Sequence, residues 1–200
     1  MNAVGFACEI SERRDRAAVV AAGREVGGGR LVVDLVWYDH PRSVVVRISK
    51  LVIDHDPVCV VVDPRSQAAT LLGPLAEAGV AVSQPGPADV TVAHGEFLDL
   101  VNDHQLVHLE QAPLTSAVRA GQQRPLAGAQ AWERRVTVDQ APLVAATLAC
   151  WGFRRWEELA APGAWVMWRI KNPQLATGVR EPSQVQETAG ALASPGKSNL

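Results

Sequence analysis

The sequence predicts an α/β fold: a mixed sheet that opens as an antiparallel meander, continues with parallel strands and carries helices on both faces. Three observations point there. The first forty residues hold three alternating or β-rich runs separated by short turns. The run Val58–Val62 is continuously apolar, as expected of a central strand covered on both faces. From Ser43 onward, helical stripes alternate with short extended runs, the pattern of crossover units.

Taken in order, Ala3–Ser11 alternates with period two. Val4, Phe6, Cys8 and Ile10 point one way; Ala3, Gly5, Ala7 and Glu9 point the other. The second face is small residues plus one carboxylate, so something packs close against it. A charged turn, Glu12–Arg16, leads to a second strand, Ala17–Val26. Gly27–Gly29 turns the chain into a third, Arg30–Tyr38. Ser43 is placed to cap a helix to His55, with Val44, Val45, Ile48, Leu51 and Val52 on one stripe. The apolar strand 58–62 stops at Asp63-Pro64. A helix over 66–78 turns Ala68, Leu71, Leu72 and Leu75 inward and closes at Gly79, before a short strand, Val80–Val82. A helix over 88–102 packs through Val90, Ala93, Phe97 and Val101. A short extended piece at Leu106–His108 and a short helix over 114–120 follow. Residues 128–138 read as extended, and Asp139 opens a helix from Ala141 to Phe153, with Pro142 in its first turn. The domain is read as 1–156, with an extension over 157–171 that includes the apolar run Trp165–Ile170. The Pro-, Gly-, Ser- and Gln-rich stretch 172–200 reads as a disordered tail.

Composition narrows the class. In 200 residues, 48% are hydrophobic and 20% charged; 19 Lys and Arg face 21 Asp and Glu, a net charge of −2. No global positive field draws the chain to nucleic acid, so phosphate contacts must come from a local patch. The basic residues are mostly Arg, which suits phosphate forks. Cys8, Cys59 and Cys150 are far apart and form no CxxC pair, against a zinc cluster or disulfide scaffold. No leader-like start and no membrane-length apolar run is seen, so the expectation is a soluble, cytoplasmic protein.

Three carboxylates stand out by position. Glu9 lies within the first strand, Asp63 ends the most apolar one, and Asp139 starts the last strong helix. A crossover strand landing beside strand one brings Glu9 and Asp63 together, and a helix over that edge adds Asp139. Converging carboxylates repel and are costly to desolvate, and hard divalent cations are their usual compensation. Two such ions about 4 Å apart activate a water and stabilise the leaving oxygen in phosphodiester cleavage. Each acid also has a plainer reading: a turn for Asp63, a helix cap for Asp139, and an ion pair with an Arg for Glu9. Arg65 is placed to touch a phosphate, and Arg134 and Arg135 to follow a phosphate backbone, with a solvated charged edge as the alternative for the last two. His94, His108, Trp151 and Trp156 read as packing or surface residues, and Ser66 and Ser116 have no visible triad partners.

The order and spacing of VGFACEIS, PVCVVVDPRSQAATLLGPLAEAG, AHGEFLDLVNDHQLVH and RRVTVDQAPLVAATLA resemble the nuclease domain of the large terminase subunit of tailed bacteriophages, over about Val4–Trp156. The resemblance implies a ribonuclease-H-like fold. It also implies a metal-dependent endonuclease that cuts concatemeric double-stranded DNA during genome packaging, with two Mg²⁺ or Mn²⁺ ions. Glu9, Asp63 and Asp139 match the family's metal-holding acids, with Asp15 as a further candidate. Partners implied are double-stranded DNA, a separate P-loop ATPase, the small terminase subunit and the portal.

Two departures stand out. The family usually has Asp where this chain has Glu9. No G-x-x-x-x-G-K-[ST] loop is found, since Gly27-Gly28-Gly29-Arg30 reads as a hairpin turn, so the expectation is a nuclease half without its ATPase domain. Alternatives are a catalytically degenerate packaging subunit and a ribonuclease-H-like Holliday-junction resolvase, the latter marked by branched-substrate preference.

Overall fold

A computed structural model describes residues 3–27 and 29–160. The expected run Trp165–Ile170 and the tail 172–200 lie outside the described residues.

The chain opens with the antiparallel meander β1 (Val4–Ile10), β2 (Ala17–Arg24) and β3 (Leu31–Asp39). A short 3-10 turn, Pro41–Ser43, leads into α1 (Val44–His55). Ser43 stands at the N-cap but makes no capping hydrogen bond through its side chain. α1 ends where Asp56 turns left-handed, and β4 (Cys59–Val61) then lands parallel beside β1. β5 (Leu106–His108) lands parallel beside β3, giving the sheet order β4-β1-β2-β3-β5.

The alternation of β1 divides the core as read. Phe6, Cys8 and Ile10 join Val19, Val60 and Val62 on one face, covered by Val44, Ile48 and Leu51 of α1 and by Ala68, Leu71 and Leu75. Ala7, Ala18, Val20, Ala22 and Val61 form the other face. Covering it are α3 (Pro87–Asn102), α4 (Ala112–Arg119) and above all α5 (Ala141–Ala160), which lies across the sheet. The small residues on that face let α5 come close. A Cβ on Gly152 would stand 2.5 Å from Val61 Cγ2, and one on Gly5 would stand 2.9 Å from Cys59 Sγ and 3.4 Å from Phe153 Cβ.

Several expectations need correction. The helix over 66–78 is a 3-10 segment, Gln67–Leu71, followed by α2 (Leu72–Glu77); the Ser66 hydroxyl accepts from the Ala68 N–H and so favours a tight first turn. Val80–Val82 is not a strand, because pairing along β4 shrinks there to one bridge, Val61 with Ser83. Val101 is 45% exposed and Phe97 carries the packing of that end of α3. Of the expected extended stretch 128–138 only 129–132 is strand: a separate hairpin of β6 (Gln123–Leu126) and β7 (Ala129–Trp132) turns at Ala127 and Gly128, both with positive φ. Its polar first strand gives no periodic signal. α5 runs beyond Phe153 and past residue 156, because Phe153 and Trp156 continue its packing.

Candidate functional site: two acids joined through one arginine

β4 pairs with β1 as Gly5–Cys59, Phe6–Val60 and Ala7–Val61. Continuing that register two residues brings Glu9 abreast of Asp63, where both parallel strands end. Alternation places both on the α5 face, with Ala7 and Val61. Glu9 is 1% exposed and Asp63 3%.

One side chain joins them. Arg134, from the segment after β7, puts a single guanidinium nitrogen, Nη2, 3.0 Å from Glu9 Oε2 and 3.1 Å from Asp63 Oδ2, to which it donates. Glu9 Oε1 accepts from the Ile10 N–H at 3.0 Å. Asp63 Oδ1 accepts from the Arg65 N–H at 2.9 Å, and its carbonyl accepts from the Ser66 hydroxyl. Asp63 is therefore also the turn-forming residue that its place before Pro64 suggested.

Burial raises the Glu9 pKa, against the pull of Arg134, the Ser66 hydroxyl and the Ile10 N–H; Asp63 nearby raises it further. Burial alone would lower Arg134, but the charges of Glu9 and Asp63 outweigh it and hold its pKa above the ordinary value.

Asp139 does not join this pair. Its Oδ1 accepts from the Ala141 N–H at the start of α5, and its Oδ2 accepts from the Tyr38 hydroxyl at 3.0 Å. Tyr38 pairs with Ala18, and Ala18 pairs with Glu9, so Asp139 is tied to a strand two places from Glu9, about 10 Å of sheet width. Burial raises the Asp139 pKa, and the Ala141 N–H and Tyr38 oppose it. Burial, then the charge of Asp139 and its hydrogen bond, push Tyr38 up to about 12. Asp15 is held by the Ser11 hydroxyl and shares a cleft of about 360 Å³ with Tyr38, Arg134 and Asp139.

Among the described residues no three His, Cys, Asp or Glu side chains are grouped closely enough to hold a metal ion. Tested as a metal site, the arrangement does not fit. Two of the expected ligands face one point, but the Arg134 nitrogen stands there, and the third has its oxygens committed elsewhere.

A second cleft, of about 430 Å³, is lined by Arg65, Arg124, Arg134 and Arg135 together with Glu12 and Glu133. Arg65 donates to the Pro85 carbonyl and lies 3.8 Å from Asp63. Arg135 is 82% exposed along its side chain and pairs with Glu12. Arg134 is only 18% exposed, so it is not the solvated edge that Arg135 is. Sequence reading passed over Tyr38 and Arg124. Tyr38 carried one signal, as the only tyrosine, placed at a strand end; Arg124 carried none. His94 is a packing residue, edge-on to Trp132 with ring centres 4.5 Å apart, and the His108 ring accepts from the Glu110 N–H.

Comparison with solved structures decides the fold. The HK97 bacteriophage large terminase superposes with a TM-score of 0.60 at 16% sequence identity, over 76% of this chain and 39% of that one. This chain shares its fold with that structure: a mixed five-stranded sheet with helices on both faces. The nuclease domain of the Thermus phage P74-26 large terminase superposes with a TM-score of 0.51 at 13% identity, over 74% of this chain and 78% of that one. The chain thus spans 39% of the length of the HK97 terminase and most of the isolated nuclease domain. Neither a protein-family model nor a curated protein sequence matches it. Among the described residues, no helix is long and apolar enough to cross a membrane.

Proposed function

We propose that this chain is a nuclease domain of the large-terminase type, hydrolysing phosphodiester bonds of double-stranded DNA as concatemers are cut for packaging. The observation that carries the reading is the pair Glu9–Asp63: two buried carboxylates side by side at the ends of parallel strands, behind an arginine-rimmed cleft. Two adjacent buried carboxylates repel and are costly to desolvate, and that placement at the strand ends, beside the cleft, is what supports a chemical role.

The proposal includes a requirement for Mg²⁺ or Mn²⁺. That part rests on donor chemistry, because carboxylate oxygens are the ligands such cations take. It assigns no ion to a position while Arg134 stands between the acids. Arg65, Arg124 and Arg135 are the groups proposed to hold the DNA backbone. Base specificity is low on this reading, since phosphate contacts carry no sequence information. A P-loop ATPase, a small terminase subunit and a portal are the proposed partners, and the cytoplasm of a phage host is the proposed place of action.

The Arg134 bridge favours a second reading, a packaging subunit of the same fold that binds DNA without cutting it. Nicking of supercoiled plasmid with Mg²⁺ or Mn²⁺, by wild type and by Asp63→Asn, separates the two. The nuclease reading expects metal-dependent nicking by wild type and none by a folded Asp63→Asn. DNA binding without cleavage by wild type favours the second reading. Equal cutting by the variant removes Asp63 from the site.

A further inference from the structure

We propose that Arg134 is a tethered cation that closes the Glu9–Asp63 pair to divalent metal ions in the free domain. The inference takes its meaning from the nuclease reading, but its test does not depend on it.

Position is the first argument. One nitrogen lies within 3.0 and 3.1 Å of an oxygen from each acid. A divalent cation bound to both oxygens would sit about 2.0–2.6 Å from each. That point overlaps the guanidinium, so the two occupants exclude each other.

Access is the second. Arg134 lines both the cleft of about 430 Å³ and the one of about 360 Å³, whereas Glu9 and Asp63 line neither. Glu12 and Arg135 also line both clefts, but of the three only Arg134 touches both acids, so its side chain lies between the acids and the open space. Its withdrawal opens the acids to the cleft that also holds Asp15 and Asp139.

The third argument is how loosely the plug is held. A guanidinium has five N–H donors. Among the described residues, the side chain of Arg134 makes one hydrogen bond, to Asp63; its buried Nε has no partner, and neither does Glu9 Oε2 beyond the charge contact. Arg134 therefore has unused donors to offer a competing anion in the adjoining clefts.

The test is Mn²⁺ uptake without DNA, followed through the free-Mn²⁺ spin-resonance signal for wild type, Arg134→Gln and the double variant Glu9→Gln/Arg134→Gln. Arg134→Gln is expected to take up Mn²⁺ about tenfold or more tightly than wild type, and the double variant to lose that gain. Mn²⁺ in place of EDTA should raise the Tm of Arg134→Gln and leave wild type unmoved. Equal uptake by wild type and Arg134→Gln overturns the proposal, as does a gain that survives Glu9→Gln. If Arg134→Gln does not fold, Arg134→Met carries the test, because it keeps an unbranched arm and removes the charge and the donors. Uptake tighter than wild type supports the proposal, and equal uptake overturns it. Mn²⁺ uptake by Arg134→Gln with no DNA cleavage leaves the inference standing and removes the nuclease reading. Cleavage by a wild type that already holds Mn²⁺ in the absence of DNA does the reverse.

Discussion

Substituting Gly152 by Ala tests whether the small-residue face of the sheet exists to bring α5 close. In an open helix the change stabilises, because Ala is favoured over Gly by about 1 kcal/mol. Here the new methyl carbon would stand 2.5 Å from Val61 Cγ2 and 3.0 Å from Cys59 Sγ, both on fully buried strand residues of β4. Neither neighbour is the free end of a flexible chain, so α5 must lift or β4 must shift. Overpacking of this kind costs about 2–3 kcal/mol, which leaves a net loss of about 1–2 kcal/mol after the helical gain. For a domain of this size that lowers Tm by about 3–6 °C. Thermal melts followed by circular dichroism read this directly. Val61→Ala removes the nearer obstacle, so Gly152→Ala should cost less in that background than in wild type, a non-additivity expected of touching residues. A Gly152→Ala protein as stable as wild type or more so would refute the claim that close approach of α5 to β4 is built into the sequence.

Three further outcomes are expected. Tyr38 is the only tyrosine, so its ionisation can be followed by absorbance near 295 nm. It should titrate near 12 and move back toward the ordinary value in Asp139→Asn. Because its folded pKa is raised, the stability it contributes is complete below its unfolded pKa of about 10 and is lost as pH climbs toward 12. A normal titration would mean that the Tyr38–Asp139 bond does not form. Asp63→Asn keeps an acceptor for the Arg65 N–H but loses the charge-assisted bond from Arg134, worth about 2 kcal/mol, so its Tm should fall by about 4–8 °C while the fold survives. Loss of secondary structure at 25 °C would mean that Asp63 is chiefly a structural residue. Finally, Arg65→Gln and Arg135→Gln should each weaken duplex binding regardless of sequence and reduce the salt dependence by about one phosphate contact. Fluorescence anisotropy across a salt series checks this, and an unchanged slope removes that arginine from the interface.

The order of elements was legible because three of the five strands of the main sheet carry their own signals: alternation in β1, a continuous apolar run in β4, β-branched residues in β3. From that order the pairing of β4 with β1 follows, and with it the meeting of Glu9 and Asp63. The hairpin β6–β7 was not legible. Its strands, QRPL and AQAW, are four residues each and half exposed, and they pair only with each other, so no periodicity marks them. Whatever follows that hairpin is therefore placed by tertiary contacts alone, and Arg134 follows it.

This explains why the site was half read. The alternatives for Glu9, a metal or an arginine, answer one physical requirement: a carboxylate almost sealed from water needs a positive charge within reach. Sequence spacing states the requirement but not which cation meets it, because that depends on where an aperiodic segment lands. Asp139 illustrates the complementary limit. A residue just ahead of a helix can cap it or turn outward to a site, and the Tyr38 hydroxyl, far away in the chain, holds it in the first role. Each Asp139 oxygen has a neutral donor of its own, whereas Glu9 Oε2 and Asp63 Oδ2 share one arginine nitrogen. If Arg134→Gln takes up Mn²⁺, Glu9 and Asp63 would hold it, so in that background a spin-resonance titration should show uptake lost with Glu9→Gln or Asp63→Asn and kept with Asp139→Asn.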